Sequence, residues 1–203
     1  MNKIAIYNEK GRVGKTPLSL EIALRLGYNY ATNQNRPRED IKAIIPTGEF
    51  LQVGPSEAFP KLDDDFPVVF DLAGELVGYE KSIVSALEQV DLIIVPVVNE
   101  PDAIMGTAYA ITEIMTLNTI TAKFVVVANM LKKPEEVEDV KMQLLPLIGF
   151  DIPVVPIRYS RAFDRIIAEG ISIQALVEKG GLYAWSFRNV AREVDHLMSY
   201  ITK

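Results

Sequence analysis

Ile4-Ala5-Ile6-Tyr7-Asn8-Glu9-Lys10-Gly11-Arg12-Val13-Gly14-Lys15-Thr16-Pro17-Leu18 is the stretch that decides the fold. Ile4 to Tyr7 is a short apolar run stopped by Asn8, Glu9 to Gly14 is a glycine-containing turn, and Leu18, Ile22, Ala23 and Leu26 then recur at helical spacing. Strand, loop and helix follow in that order. Pro17 suits the first turn of a helix, where its missing N–H costs least, and Gly27 is placed to end it. Backbone N–H groups at such a helix start point outward with partial positive charge, so they can wrap a polyphosphate. Gly14 allows close approach, Lys15 can reach the β- and γ-phosphates, and the Thr16 hydroxyl is placed for Mg2+. The plainer alternative is a glycine turn followed by a lysine with no ligand.

Downstream, Phe66-Pro67-Val68-Val69-Phe70-Asp71 reads as a buried strand ending in an acid, and Leu92 to Val98 and Phe124 to Ala128 as further unbroken apolar strands. Val154-Val155, between two prolines, reads as a short last strand. Helical patterns lie between them: Ile83, Leu87 and Val90; Ala103 to Leu117; Val137, Val140, Leu144 and Leu145. Uniformly apolar strands alternating with helices predict a three-layer α/β domain, a mostly parallel sheet covered on both faces. The C-terminal third predicts helices over Ala162 to Ala168, Ile173 to Glu178 and Ala184 to Ile201. Residues 33 to 66 read as loop-rich with one or two strands, Ile41 to Val53 being strand-like but interrupted by Pro46 and Gly48.

The 203 residues are 49% apolar and 24% charged, which predicts one globular domain over 1–203 and leaves little room for disorder. With 21 basic and 27 acidic side chains the net charge is −6, so any attraction to nucleic acid or anionic lipid has to be local. Cysteine is absent and His196 is the one histidine, which excludes disulfides, thiolate sites and histidine-based zinc chemistry. Met1 to Tyr7 is too short for a signal-peptide core, and no apolar run approaches the roughly 20 residues of a membrane span. A cytoplasmic protein is expected.

Lys10-Gly11 upstream of Gly14-Lys15-Thr16 resembles the deviant Walker A motif of the ParA/MinD partitioning ATPases, usually Lys-Gly-Gly-x-Gly-Lys-Thr-Thr. Val68 to Gly74 resembles that family's Walker B strand and second switch. Ala86 to Val98 resembles the helix-to-strand unit that follows, Val125 to Asn129 the strand whose terminal Asn lies near adenine, and Ile157-Arg158 onward the final strand, helix and turn. The resemblance covers nearly all the chain except about 30 to 65, with the spacing of short plasmid-type members.

It implies ATP and Mg2+ as cofactors and a homodimer formed on ATP, with Gly11, Arg12, Val13, Gly14, Lys15, Thr16, Pro17, Gly74, Asn129 and Arg158 at the nucleotide. Lys10 would be the signature lysine reaching across to the partner's phosphates, a cation that offsets charge developing in phosphoryl transfer. The alternative for Lys10 is a solvated loop lysine. Asp71 would hold Mg2+ with Thr16, or else merely cap a helix. A centromere-binding adaptor and non-specific DNA are the implied partners.

Three positions depart from the pattern. Arg12 replaces the second glycine, where its side chain either points away or joins the site. Pro17 replaces the second threonine and removes one donor to the α-phosphate, about 1 kcal/mol. The first switch, normally Asp-x-Asp-Pro-Gln, reads Asn33-Gln34-Asn35-Arg36-Pro37, and an amide such as Asn35 can orient water but cannot take its proton. Glu39, Asp40 and Glu75 are nearby carboxylates with no spacing that favours one. Slow or partner-stimulated hydrolysis is expected; a non-hydrolysing interaction protein on an eroded scaffold is the alternative. A synthetase resembling dethiobiotin synthetase is more distant, since Lys10 speaks for the sandwich dimer.

Arg158, Arg161 and Arg165 recur at three and four residues, and a helix would align them to touch DNA backbone, or they form a solvated face paired with Asp164, Glu169 and Glu193. Arg188 and Arg192 form a similar pair. Val190, Val194, Leu197 and Ile201 form an apolar stripe expected to pack on the sheet, because Glu193 and Asp195 spoil the cationic face a membrane helix needs. Tyr109 and Met115 read as core or interface.

Overall fold

The computed structural model describes residues 1–35, 39–45, 50–73 and 80–202. Gly74, Glu75, Arg36 and Pro37 lie outside the described residues. In chain order the elements are β1 (Lys3–Ile6), α1 (Lys15–Leu26), β2 (Asn29–Thr32), α2 (Glu39–Ile44), β3 (Phe50–Gln52), β4 (Val68–Asp71), α3 (Glu80–Leu87) and β5 (Leu92–Val98). They continue with α4 (Pro101–Thr116), β6 (Lys123–Leu131), α5 (Glu136–Ile148), β7 (Val154–Arg158), α6 (Ala162–Glu169), α7 (Ile173–Glu178) and α8 (Gly181–Ile201).

The seven strands form one sheet in the order β3-β2-β4-β1-β5-β6-β7, with every pairing parallel. Period-two alternation divides it between two cores. Ala5, Tyr7, Ile93, Val95 and Val97 face the layer of α3, α4 and α5, while Ile4, Ile6, Leu92 and Ile94 face α1, α6, α7 and α8. The three-layer expectation holds, and so does the apolar stripe: Val190, Val194, Leu197 and Ile201 are buried against the sheet. No helix among the described residues is long and apolar enough to cross a membrane.

β1 lies between β4 and β5, so the chain leaves it in one direction toward β2 and later crosses to the other side. In an open parallel sheet this reversal opens a crevice beyond the carboxyl ends of the strands. The loop 8–14 sits there.

Two expectations change and one narrows. Glu39 to Ile44 is a helix, although the strand-like run was expected to begin at Ile41: Glu39 and Asp40 stand in its first turn, and Ile41 and Ile45, four apart, are both buried. Among the described residues of that stretch only Phe50–Gln52 is strand, stacked through Phe50 on Tyr30. Arg158 ends β7 and is not on a helix with Arg161 and Arg165; its main-chain N–H and its Nε donate to Glu193 at 2.9 and 2.7 Å. That leaves Arg161 and Arg165 as the exposed members of the group. Tyr109 and Met115 are 61% and 51% exposed on α4 and belong to no core, which leaves only the interface half of that expectation.

The two ends of the chain are joined through a buried acid. Glu21 of α1 accepts the Ile173 N–H at the head of α7 through Oε2 at 2.7 Å, while Oε1 has no hydrogen-bond partner and lies 3.9 Å from Arg25. Arg25 in turn pairs with Asp195 of α8. Burial pushes Glu21 up to about 7, against the lowering effects of the Ile173 N–H and Arg25, and Asp195 adds to the rise. The folded chain therefore binds more protons than the unfolded chain between 4.5 and about 7, and this group's contribution to stability falls as pH rises through that window. Glu21→Gln is expected to exceed wild type in unfolding free energy by up to about 3 kcal/mol at pH 8, shrinking to under about 1 kcal/mol at pH 5. Urea unfolding at the two pH values checks the sign and the convergence.

Candidate functional site

The loop is anchored by Asn8, a fully buried amide at the end of β1. Its Nδ2 donates to Pro96 O (2.8 Å) and Thr107 Oγ1 (2.7 Å), tying the loop to β5 and α4, and its Oδ1 accepts the Lys10 N–H at 2.9 Å. Sequence reasoning saw Asn8 only as the end of a strand. A polar residue closing an apolar run before a phosphate-type turn was the available signal.

Gly14 caps α1 with φ 89, in the left-handed region. A Cβ there would meet Asn129 Nδ2 at 2.3 Å, so a bare α-carbon is required. Asn129 reaches the loop because β6 bulges. Ala128 pairs with Pro156 and Leu131 with Arg158, so Asn129 and Met130 together oppose Ile157, with Met130 at φ 55. The Asn129 Nδ2 thereby donates to Val13 O at 2.9 Å. Gly14, Pro17, Asn129, Met130 and Arg158 line a narrow cleft of about 90 Å³ together with Phe163 and Asp164. Of the residues expected at the nucleotide, Gly14, Pro17, Asn129 and Arg158 are thus brought together on one cleft.

Lys15 stands at the first helical position. Its ammonium is held by two loop carbonyls, Asn8 O at 2.9 Å and Lys10 O at 3.0 Å, and burial lowers its pKa while Asp71 opposes the drop. Thr16 donates its hydroxyl to Asp71 Oδ2 at 2.7 Å. Pro17 is the third residue of α1, where a residue other than proline would present one of the free N–H groups of the first turn. Lys10 and Gly11 are exposed at the rim.

Arg12 is exposed with φ 64, a conformation that costs an L-residue roughly 1–2 kcal/mol. The glycine of the related motif would escape this cost, which gives the departure at Arg12 a backbone meaning. Arg12→Gly is expected to raise the unfolding free energy by about 0.5–1 kcal/mol, once the extra freedom of glycine in the unfolded chain is counted. The urea midpoint measures it.

Asp71, at the end of β4, is fully buried, and burial raises its pKa against the lowering effects of Tyr30, Thr16 and Lys15. One oxygen, Oδ2, accepts from Thr16, from Tyr30 OH at 2.6 Å and from Gln34 Nε2 at 3.0 Å; the other, Oδ1, has no hydrogen-bond partner. A buried, unpartnered carboxylate oxygen beside a threonine hydroxyl fits a Mg2+ whose other ligands are phosphate and water. Among the described residues no group of three or more acids or histidines is placed to hold a metal ion without such outside ligands. Asp71 does not act as a helix cap here, since its carboxylate serves side chains of β2, α1 and the segment after β2.

After β2 the first-switch equivalents divide. Asn33 is fully buried and braces the two strand ends, its Oδ1 accepting the Ala73 N–H at 2.6 Å and its Nδ2 donating to Ser82 Oγ at 2.9 Å. Asn35 is exposed. Gln34, to which the sequence reading gave no role, is the residue that reaches Asp71 and Thr16, and Tyr30 was missed with it. On the far side of the loop a cleft of about 590 Å³ runs past Lys10, Gly11, Arg12, Glu100, Lys132 and Glu136.

No family profile and no curated protein matches the sequence. Solved structures do match. A Borrelia burgdorferi protein assigned to plasmid partition, bound to AMPPNP, superposes with a TM-score of 0.63 at 14% identity over 98% of this chain and 100% of its own. The cell division ATPase MinD of Pyrococcus furiosus gives 0.58 at 18% identity over 97% and 100%. This is the ParA/MinD fold. A Cyanothece McdA variant in complex with ATP agrees, with 0.57 at 12% identity over 96% of both chains. Within the ParA/MinD fold, the order of the sheet places the loop 8–14, Asp71 and Asn129 at the carboxyl ends of β1, β4 and β6.

Proposed function

We propose that this protein is a Mg–ATP-dependent switch that dimerises on nucleotide and serves the partitioning of a plasmid, a chromosome or a comparable large cargo. The observation that carries the reading is the Lys15–Thr16–Asp71 cluster at the head of α1: a half-buried ammonium and a hydroxyl in the turn after a left-handed glycine, with a half-satisfied buried carboxylate of β4 beside them. Amides of 11–16 would bind the phosphates, and Lys15 would exchange two carbonyl partners for phosphate oxygens. Thr16 and Asp71 would hold Mg2+, directly and through water, which when bound supplies charge neutralisation at the phosphates. Asn129, Arg158 and Pro17 would line the base-side cleft, with Val13 giving its main chain and Gly74 sensing the γ-phosphate.

Lys10 and Arg12 stand exposed on the wall of the larger cleft, where a second protomer would bring its own phosphates within reach. Neutralising charge there would aid phosphoryl transfer. An adaptor bound to centromere DNA, and non-specific DNA at Arg161 and Arg165, complete the proposal, with the pairing of Arg158 to Glu193 removing it from the DNA surface. Support comes from the fold shared with ATPases and partition proteins.

A non-hydrolysing reading is favoured by one observation: Asn33 is engaged in bracing β4 and Asn35 is exposed, so neither amide stands beside Asp71. Phosphate release separates the two. Mg–ATP is expected to raise the melting temperature and the mass by light scattering under both readings, and release with partner and DNA present is expected only under the first.

A further inference from the structure

Gln34 lies over the Asp71–Thr16 pair. Its Nε2 donates to Asp71 Oδ2 at 3.0 Å and approaches Thr16 Oγ1 at 3.3 Å. The amide orientation is fixed by its neighbours: Thr16 and Tyr30 already donate to Oδ2, so a reversed amide would set its carbonyl oxygen against a carboxylate oxygen. A divalent cation held between the free Asp71 Oδ1 and Thr16 Oγ1 needs a lone pair of that hydroxyl, and the NH2 group standing 3.3 Å from it offers hydrogens instead. The amide as oriented and a metal ion are mutually exclusive occupants.

We propose that Gln34 is a metal-sensing residue, whose amide latches the segment after β2 onto Asp71 and Thr16 and is expelled or inverted when Mg2+ enters with nucleotide. This rests on reading the site as a Mg–nucleotide site. Asp71 is the fixed half of the latch, held by Tyr30 and by pairing of β4 between β1 and β2. Gln34 is the half that moves. Its main chain carries the signal outward: its N–H donates to Thr32 Oγ1 at 3.2 Å, and its carbonyl accepts from Gln52 Nε2 of edge strand β3 at 3.0 Å. Displacing Gln34 therefore loosens its tie to β3 and tells the rest of the switch segment that the metal is in place.

The test is titration of the full chain with a fluorescent ADP analogue, first in EDTA and then at rising Mg2+, for wild type, Gln34→Ala and Gln34→Glu. Removing the latch should lower the Mg2+ concentration for half of the metal-dependent gain by about five- to tenfold in Gln34→Ala, and further in Gln34→Glu, whose carboxylate cannot donate to Asp71 but attracts the cation. Hydrogen exchange gives a second readout: Mg–ADP should speed exchange over 50–53 in wild type, and Gln34→Ala should show that faster rate in EDTA. Gln34→Glu carries the test if the alanine variant does not fold. Mg2+ midpoints within about twofold of wild type in variants that still bind ADP in EDTA would overturn the proposal while leaving the nucleotide site intact. If wild type binds ADP neither in EDTA nor in Mg2+, the site reading itself fails and the latch falls with it, an outcome visible without any variant.

Discussion

Lys15→Ala is expected to abolish the Mg–ATP-dependent rise in both melting temperature and mass, weakening nucleotide binding by about 100-fold or more. The magnitude follows from the bonds exchanged. Lys15 is half-buried and bonded to neutral carbonyls of its own loop; at a triphosphate it would make hydrogen bonds between two charged groups, each worth roughly 1.5–3 kcal/mol. Its lowered pKa adds to the effect, because a desolvated ammonium gains more from an anion than a solvated one does. Titration calorimetry with ATP in magnesium buffer measures the loss. An alanine variant that retained wild-type affinity, with an unchanged melting curve in the absence of nucleotide, would show that the loop does not hold phosphate.

Gly14→Ala should be the most damaging single change to the fold of the site, costing about 2–4 kcal/mol of stability and with it nucleotide binding. Two independent effects combine. The backbone at φ 89 is strained for any L-residue, and the new methyl would fall 2.3 Å from Asn129 Nδ2. Asn129 is a short, buried side chain and cannot swing aside without losing its bond to Val13 O. A double variant, Gly14→Ala with Asn129→Ala, is expected to recover the steric part and not the backbone part, so urea unfolding of the pair separates them.

The reading of residues 4–18 survived contact with the structure because its information is local. A strand stopped by Asn8, a turn with Gly14 and a helix opening at Lys15 are all set by neighbours within a few residues. The strand at 92–98, the start of the last strand at 154–155 and the stripe on α8 were legible for the same reason, since burial leaves a local trace, while β7 runs on through Pro156 to Arg158. Residues 41–45 misled because two buried isoleucines four apart look, in a short segment, like part of an interrupted strand. Tyr109 and Met115 stayed undecided between core and interface because an apolar residue on a helix face does not report whether a layer covers it.

Within the site, Gly14, Lys15 and Thr16 could be named from the sequence because a phosphate-type turn puts those types at a helix start, and Asp71 because it is the acid that closes an apolar strand. Gln34 and Tyr30 could not. Both reach Asp71 only because β2 lies beside β4, a pairing between residues about 40 apart that no local pattern encodes. Asn129 is joined to Val13 across 116 residues by a bulge whose register exists only in the assembled sheet. The sequence alone thus determined the phosphate-type loop and the layered parallel architecture. Tertiary structure decided which oxygen of Asp71 is satisfied, which amide stands over it and where Arg158 points, because hydrogen bonds between distant strands depend on register and register is a property of the whole sheet.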